Sequence, residues 1–522
     1  LSAGFILFLI ALPLSVGISI ASGAPPVAGI LAAVVGGILG SMVGSGNVSI
    51  NGPAAGLIVV VLTSIQVLGK GDAVEGFKLT LAAIVLAGAM QIAMGLFRLG
   101  AVALAAPTSV IHGMLTAIGV IIMAKQVHVV LGVQPTAKEP LGLIAEIPHS
   151  IMHLNPEIAI VGLGSMAILL LFSRLAKVVP VLKKIPAPLA AVTFGVILGL
   201  IFDFDHPHAV HLGFFDEFQV GPKALLNVPM QVRDAISTPD WAGIFSGDVI
   251  RMAITIALVA SIESVLSALA VDHLDPQRRQ TDLNRELWSK GICNLVLGLI
   301  GGLPIISEIV RSKANVENGA QTKWANFIHG VLILAFVGFF PGLLREIPLA
   351  ALGAILTVIG FRLGHPSQLI HMWEVGWDQA VAFLTTLIVT LASDLLIGVA
   401  TGFVVELVLH MVRGVSPVAL FPRKPSKDIQ GGNTRLSFKQ AVTSLSFAGM
   451  KAELDGLVGT VGVHLDFSQA PVVDHTTLEY IERYREEASR KGKDFHVQFS
   501  DSHRGVSRHP LSSRFNRNRK NA

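Results

Sequence analysis

Apolar stretches long enough to cross a bilayer recur along the whole front of this chain, and they constrain it more than any other feature. A helix needs about 20 predominantly apolar residues to cross the hydrocarbon core. Such stretches lie near 3–22, 27–44, 53–68, 79–97, 107–124, 158–174, 187–202, 249–270, 288–301, 304–317, 325–341, 348–362, 378–392 and 395–413. They predict a polytopic α-helical membrane protein with about fourteen spans. Phe5–Ile20 has no basic flank and no cleavage pattern, so it reads as a spanning helix and not as a signal peptide. Of 522 residues, 52% are hydrophobic and 14% charged, where a soluble domain carries about 25% charge. That balance excludes a disordered chain, a nucleic-acid module and an ordinary cytosolic enzyme. The single cysteine, Cys293, excludes a disulfide framework. The chain has no zinc-protease HExxH, no hydrolase GxSxG and no phosphate-binding P-loop. It therefore reads as a non-enzyme that needs no resident cofactor.

Charge is concentrated at the back. Residues 423–522 hold 17 of the 39 Lys and Arg and 11 of the 35 Asp and Glu. This end reads as a soluble domain, with a frayed basic run at Arg514, Arg517, Arg519 and Lys520. Val461–Phe467 and Phe495–Phe499 predict strands, and Asp474–Arg490 predicts an amphipathic helix with Leu478, Ile481 and Tyr484 on one face. Pro417, Pro422, Pro425, Gly431 and Gly432 mark a linker. Basic residues between spans six and seven (Arg174, Lys177, Lys183, Lys184) and eight and nine (Arg278, Arg279, Arg285, Lys290) put both termini in the cytoplasm. The acidic 203–247 segment then lies outside. The expected domains are 1–202, the loop 203–247, 248–414, a linker 415–434, a small α/β domain 435–505 and a basic tail 506–522.

Seven spans precede the long loop and seven follow it, so the two halves have opposite orientation. The third span of each half is short and opens on Gly and Pro: Asn51-Gly52-Pro53 in one, Gly301-Gly302-Leu303-Pro304 in the other. Such a matched pair marks an inverted-repeat transporter site. Two half-helix starts would face each other, each offering unpaired N–H groups and a positive dipole end to an anion. Gly52, Pro53, Ala54 and Ala55 line one start and Ser307, Glu308 and Ile309 the other. Pro13 removes a backbone hydrogen bond in the first span and could kink it toward this pocket. Glu263 lies in the middle of an apolar span, where an ionisable group is by default functional; Ser267, four residues on, shares its face. Glu308 and Arg311 are three residues apart, so they either pair with each other or divide, Arg311 supplying positive potential and Glu308 modulating it or carrying a proton. Glu406 near a span end either reaches toward the interface or pairs with His410.

Several of these stretches resemble the SulP family of inorganic anion transporters, which includes sulfate permeases and bicarbonate transporters. The resemblance is carried by ALPLSVGISIASGAPPVAGI (11–30), VSINGPAAG (48–56), SIESVLSALAVD (261–272), NRELWSKGICNLVLGLIGGLP (284–304) and EIVRSKANVENGAQT (308–322). LDFSQAPVVDHTTLE (465–479) resembles the core of a STAS domain. The resemblance implies fourteen spans in two inverted repeats, divided into core and gate domains, with a cytoplasmic STAS domain that helps form a homodimer. It implies a multi-pass protein of the plasma (bacterial inner) membrane, with lipid and an inorganic anion as its partners and no nucleic acid. The anion, bicarbonate or sulfate, would sit between the starts of spans three and ten, beside span one. Glu263 matches the family's cation-coupling position, with Ser267 where sodium-coupled members carry Thr. Glu308-Ile309 replaces the Ala-Thr of the family's sodium site, which favours a co-transported proton, or a sodium site at Glu263 rearranged to use both glutamates. Asp474-His475-Thr476 departs from the phosphorylatable Asp-Ser pattern. The competing readings are an uncoupled anion channel or exchanger of the same fold, and a nucleobase permease.

Overall fold

The computed structural model describes residues 1–517 except 101–104, 138, 180–184, 211–217, 228–235, 421–423, 431–432, 458–461 and 491. Leu1–Gly100 with Ile118–Gly364 forms one compact unit, and Ala101–Ala117 with His365–Ala522 forms a second. This division cuts across the two seven-span halves read from sequence. Among the described residues, seven helices are long and apolar enough to cross a membrane. A further pair, Pro140–Met152 and Pro156–Phe172, is bent by 115°. Four shorter apolar helices are Ala55–Gly69, Ala187–Ile201, Trp324–Phe339 and Trp377–Ala392. Pro140–Met152 falls in what the hydropathy pattern treats as a loop. His128 holds it there, with Nδ1 2.7 Å from Ser150 Oγ and Nε2 3.0 Å from the Leu143 carbonyl.

In the first unit, Phe8, Leu12 and Val16 of the Ser2–Ala21 helix pack with Ile30, Val192, Ile333, Leu352 and Ile355. The helix runs through Pro13 without a break. Large apolar side chains such as Leu170, Ile197, Leu200, Leu334 and Val331 remain exposed on the helices. Outward apolar faces on this scale suit lipid as the solvent.

The centre of this unit is not helical. Ile50–Pro53 and Ile305–Glu308 are strands, paired antiparallel with Asn51 opposite Ser307 and Pro53 opposite Ile305. The Gly301–Pro304 run thus leads first into a strand, and the helix expected from 304 begins at Ile309 and ends at Glu317. A two-stranded ladder satisfies only part of its own backbone, and among apolar helices the rest needs protein partners. Asn294 Oδ1 accepts from Ile305 N–H at 2.7 Å, and its Nδ2 donates to Gln91 Oε1 at 2.8 Å. Ser312 Oγ accepts from Ile50 N–H at 2.8 Å, and Asn326 Oδ1 from Asn51 N–H at 3.4 Å. Asn315 Nδ2 donates to the Val48 carbonyl at 2.8 Å. Gly36 lets the strand approach: a Cβ there would lie 2.7 Å from the Asn51 carbonyl oxygen.

In the second unit, Ser426–Gln430, Asn433–Ser437, Gly462–Asp466 and Asp494–Gln498 form a four-stranded sheet in that order. The first pair is antiparallel and the others parallel. The strand–helix–strand unit read from sequence is therefore present, its helix running from His475 to Arg490. Leu478 and Ile481 are buried, and the Tyr484 ring lies 5.3 Å from that of Phe495. Two boundaries differ from expectation. The linker 415–434 contains a strand, because its Pro and Gly residues flank Ser426–Gln430 without interrupting it. The basic tail is folded as far as Arg514–Asn516, which pairs with His503–Gly505 and Val472–Val473. Arg514 stacks 4.4 Å over Phe499 rather than fraying. Arg519 and Lys520 lie outside the described residues.

The polar clasp on the strands generates a prediction. Asn294→Leu leaves the Ile305 N–H without its acceptor in a buried setting, a cost of about 1–3 kcal/mol. The thermal midpoint of the detergent-purified protein should fall by several degrees. An unchanged midpoint would show that the clasp contributes nothing.

Candidate functional site

Each strand of the pair runs directly into a helix start, the two starts lying at opposite ends of the short ladder. After Pro53, Ala54 leads into the short 3-10 turn Ala55–Leu57 and then the helix Ile58–Gly69. After the second strand, Glu308 is the N-cap of Ile309–Glu317. Neither start is closed by a side-chain cap. Leu57 N–H already donates to the Ala54 carbonyl at 3.2 Å, so the first-turn N–H groups left to an anion are those of Ala55 and Gly56 and of Ile309–Arg311. Gly52, Pro53, Ser307 and Glu308 belong to the ladder, so their contribution is to place those starts rather than to be them. Extended backbone ahead of each helix has no hydropathy signature, which is why the apolar pattern runs both helices back to 53 and 304 while they begin at Ile58 and Ile309.

Arg311 lies across the gap. Its side chain is buried, and Nη2 donates to the Pro53 carbonyl at 3.0 Å while Nη1 lies 3.4 Å from Ser15 Oγ. The guanidinium thus ties the second half-helix to the end of the first strand and to the first helix. Gly52 makes the space for it: a Cβ there would lie 2.5 Å from Nη1. Arg311 Nε has no hydrogen-bond partner among the described residues.

Glu263, buried in the helix Gly247–Leu274, reaches the first half-helix. A Cβ on Gly56 would meet Glu263 Oε1 at 1.8 Å, so the carboxyl group rests where only glycine leaves room. Its Oε1 has no hydrogen-bond partner among the described residues, and neither has Glu308 Oε1. Glu263 and Glu308 are near enough for their charges to interact, as are Glu308 and Arg311. Glu308 and Arg311 do not form the direct pair that their spacing allows, because the residue at 308 is still extended. Ser267 is buried on the same helix. Ile309 is exposed and Glu308 half-buried, so this side of the site opens to the surface. Pro13 is buried two residues before Ser15.

Ser307 has a different role from the one its position suggests. Its hydroxyl lies 2.5 Å from Glu286 Oε1 and 3.1 Å from Asn51 Oδ1. Glu286 in turn pairs with Lys290 at 2.8 Å, both side chains 1% exposed. The hydroxyl is held by this buried pair and fixes the strand instead of facing an anion. Sequence reasoning passed over Ser15, Gln91, Glu286, Lys290 and Asn294 as site-supporting residues. Polar side chains inside apolar spans were the available signal.

The sequence profile of the sulfate permease family matches residues 1–386. The bicarbonate transporter BicA of Picosynechococcus is 26% identical over 406 residues, 77% of this chain and 68% of that protein. YvdB of Bacillus subtilis, provisionally named a sulfate transporter, is 27% identical over 430 residues, 79% of this chain and 73% of that protein. The solved transmembrane domain of a cyanobacterial BicA superposes with a TM-score of 0.61 at 24% identity, covering 77% of this chain and 96% of that one. The structure of SLC26A9 superposes with a TM-score of 0.67 at 16% identity, covering 95% and 83%. These likenesses show a helical membrane-transporter fold, with homologues that are named transporters and permeases rather than enzymes. The chain belongs to the sulfate permease family, the group of anion transporters that takes in the named sulfate and bicarbonate transporters.

Proposed function

We propose that this protein is a secondary active transporter of a small inorganic anion, bicarbonate or sulfate, which it carries together with a proton or a sodium ion. The observation that carries the reading is the antiparallel strand pair with Arg311 bridging it. It leads into two helix starts without side-chain caps, and one buried guanidinium spans between them, an arrangement that offers N–H donors and positive charge to an anion. Ala54, Ala55, Ile309 and Arg311 form the anion cradle, the ladder residues Gly52, Pro53, Ser307 and Glu308 position it, and Pro13 and Ser15 flank it on the first helix.

Charge balance supplies the coupling. One guanidinium and two helix starts face two carboxyl groups, Glu263 and Glu308. With both carboxylates ionised, an added anion meets a site that is already balanced. A cation held at Glu263, with Ser267 on the same helix, removes one negative charge and makes the anion welcome. An anion moving inward against a negative interior also faces about 2.3 kcal/mol per charge per 100 mV, which a co-transported cation offsets. The family membership and the antiparallel sense of the two site strands support seven-plus-seven inverted repeats working by alternating access. The strand–helix–strand end of the chain supports a STAS-like domain that acts in dimer assembly. Termini in the cytoplasm and a plasma-membrane address complete the proposal.

Uptake of radiolabelled bicarbonate and sulfate into proteoliposomes, with proton or sodium gradients imposed separately, tests it. Accumulation of one anion driven by one cation gradient is expected. Flux indifferent to both gradients would replace the reading with an uncoupled channel or exchanger.

Two variants probe the site. Arg311→Gln removes a charged hydrogen bond worth about 1.5–3 kcal/mol, so anion affinity in the purified protein should fall roughly 10- to 100-fold. Unchanged affinity in a folded variant would remove Arg311 from the cradle. Gly56→Ala displaces the Glu263 carboxyl group without altering any charge. It should resemble Glu263→Gln, binding anion while losing gradient-driven accumulation. Normal accumulation in both variants would make Glu263 a packing residue and shift the coupling site to Glu308.

A further inference from the structure

The second unit contains a buried cluster that the transport site does not use. Glu406 and His410 sit one turn apart on the helix Leu395–Val412, 3% and 2% exposed. Asp474, fully buried, caps the helix His475–Arg490. One ligand atom from each of these three residues lies within 4.8 Å of the other two. Glu406 Oε1 is 3.9 Å from His410 Nε2, too far for a hydrogen bond. Glu406 Oε1 and His410 Nδ1 have no hydrogen-bond partner among the described residues. Unsatisfied polar atoms on deeply buried side chains are uncommon and ask for a reason.

Local charge sharpens the question. Asp378, also buried, reaches only Arg413 Nη1 at 3.5 Å, and its Oδ1 is unpartnered among the described residues. Three carboxyl groups, Glu406, Asp474 and Asp378, are thus near enough for their charges to interact, and among the described residues the Arg413 guanidinium pairs with Asp378 alone. Ionised, they leave two negative charges unbalanced in a place with little water, and such charges are paired or bind metal. The other oxygens are already oriented. Glu406 Oε2 accepts from Ser109 Oγ at 3.0 Å. Asp474 Oδ1 accepts from Thr477 N–H at 2.8 Å, and Oδ2 from Ser444 N–H at 2.6 Å. Bonds of this kind aim metal-ligating carboxylates.

We infer that Glu406, His410 and Asp474 form a binding site for a divalent transition-metal ion of the zinc class, which joins the last apolar helix to the start of the helix His475–Arg490. One imidazole and two carboxylates are a ligand set for zinc, whereas magnesium and calcium take oxygen ligands alone. Ligands at about 2.0–2.2 Å from a tetrahedral ion lie roughly 3.3–3.6 Å apart. The observed spacings reach that by side-chain shifts of about an ångström or less. Water or Asp378 completes the shell.

The test uses the full chain, tag-free and purified in detergent, stripped with chelator and reloaded with Zn2+ or Co2+. One metal per chain by elemental analysis is expected, with the strong visible absorption of four- or five-coordinate Co2+ and a raised thermal midpoint on adding Zn2+. His410→Ala and Asp474→Asn should each weaken Zn2+ binding at least tenfold. Asn keeps the helix cap, so that variant separates ligation from folding. If either variant fails to fold, the Co2+ spectrum of the unaltered protein decides. Metal content no higher than background, a six-coordinate Co2+ spectrum, or binding untouched by both substitutions would overturn the inference.

Discussion

Extended backbone among apolar helices is costly unless every peptide group finds a partner, and the first unit is organised around meeting that demand. The pair Ile50–Pro53 and Ile305–Glu308 satisfies part of its own backbone. Asn294, Ser312, Asn315 and Asn326 supply further partners from the surrounding helices. Those polar side chains are themselves costly in an apolar span, so strand and helices are mutually required. The small residues follow from the same demand. Gly36, Gly52 and Gly56 stand where a methyl group would strike the strand, the guanidinium or the Glu263 carboxyl group.

From this clasp the site follows without a dedicated binding loop. Each strand ends where a helix starts, and the antiparallel register puts the two starts at opposite ends of the ladder, about 10 Å apart. Arg311 then spans from the second start to Pro53 and Ser15. The same guanidinium fixes geometry and supplies charge, so its loss affects both. Glu263 opposes it from a third helix, through the gap that Gly56 leaves. The site thus sets one guanidinium against two carboxyl groups, and under the proposed mechanism binding one ion alters the affinity for the other of opposite sign.

Much of this was legible in the sequence, for identifiable reasons. The apolar spans were visible because lipid demands long uninterrupted stretches. The two short segments were visible because Gly and Pro break the pattern at matched positions. Glu263 and Arg311 stood out as charges in apolar surroundings. The strands were not legible: four residues of extended chain, buried on both sides, have no period to detect. Ser307 therefore reads from sequence as part of a helix start, whereas it lies in the strand and its hydroxyl donates to Glu286. The strand at Ser426–Gln430 was hidden by the Pro and Gly around it, and Arg514–Asn516 by its charge. The grouping of Glu406 with Asp474 joins residues 68 positions apart and needed the fold.

The central claim is that anion and cation occupy the site together because Glu263 and Glu308 outnumber Arg311. Calorimetric titration of anion into the purified protein measures this directly, when repeated in buffers of differing ionisation enthalpy and at several sodium concentrations. The account predicts that each anion bound brings in about one proton, or that affinity rises with sodium in a way that corresponds to about one ion. Anion binding of equal affinity at every sodium concentration, with no proton uptake, would contradict it.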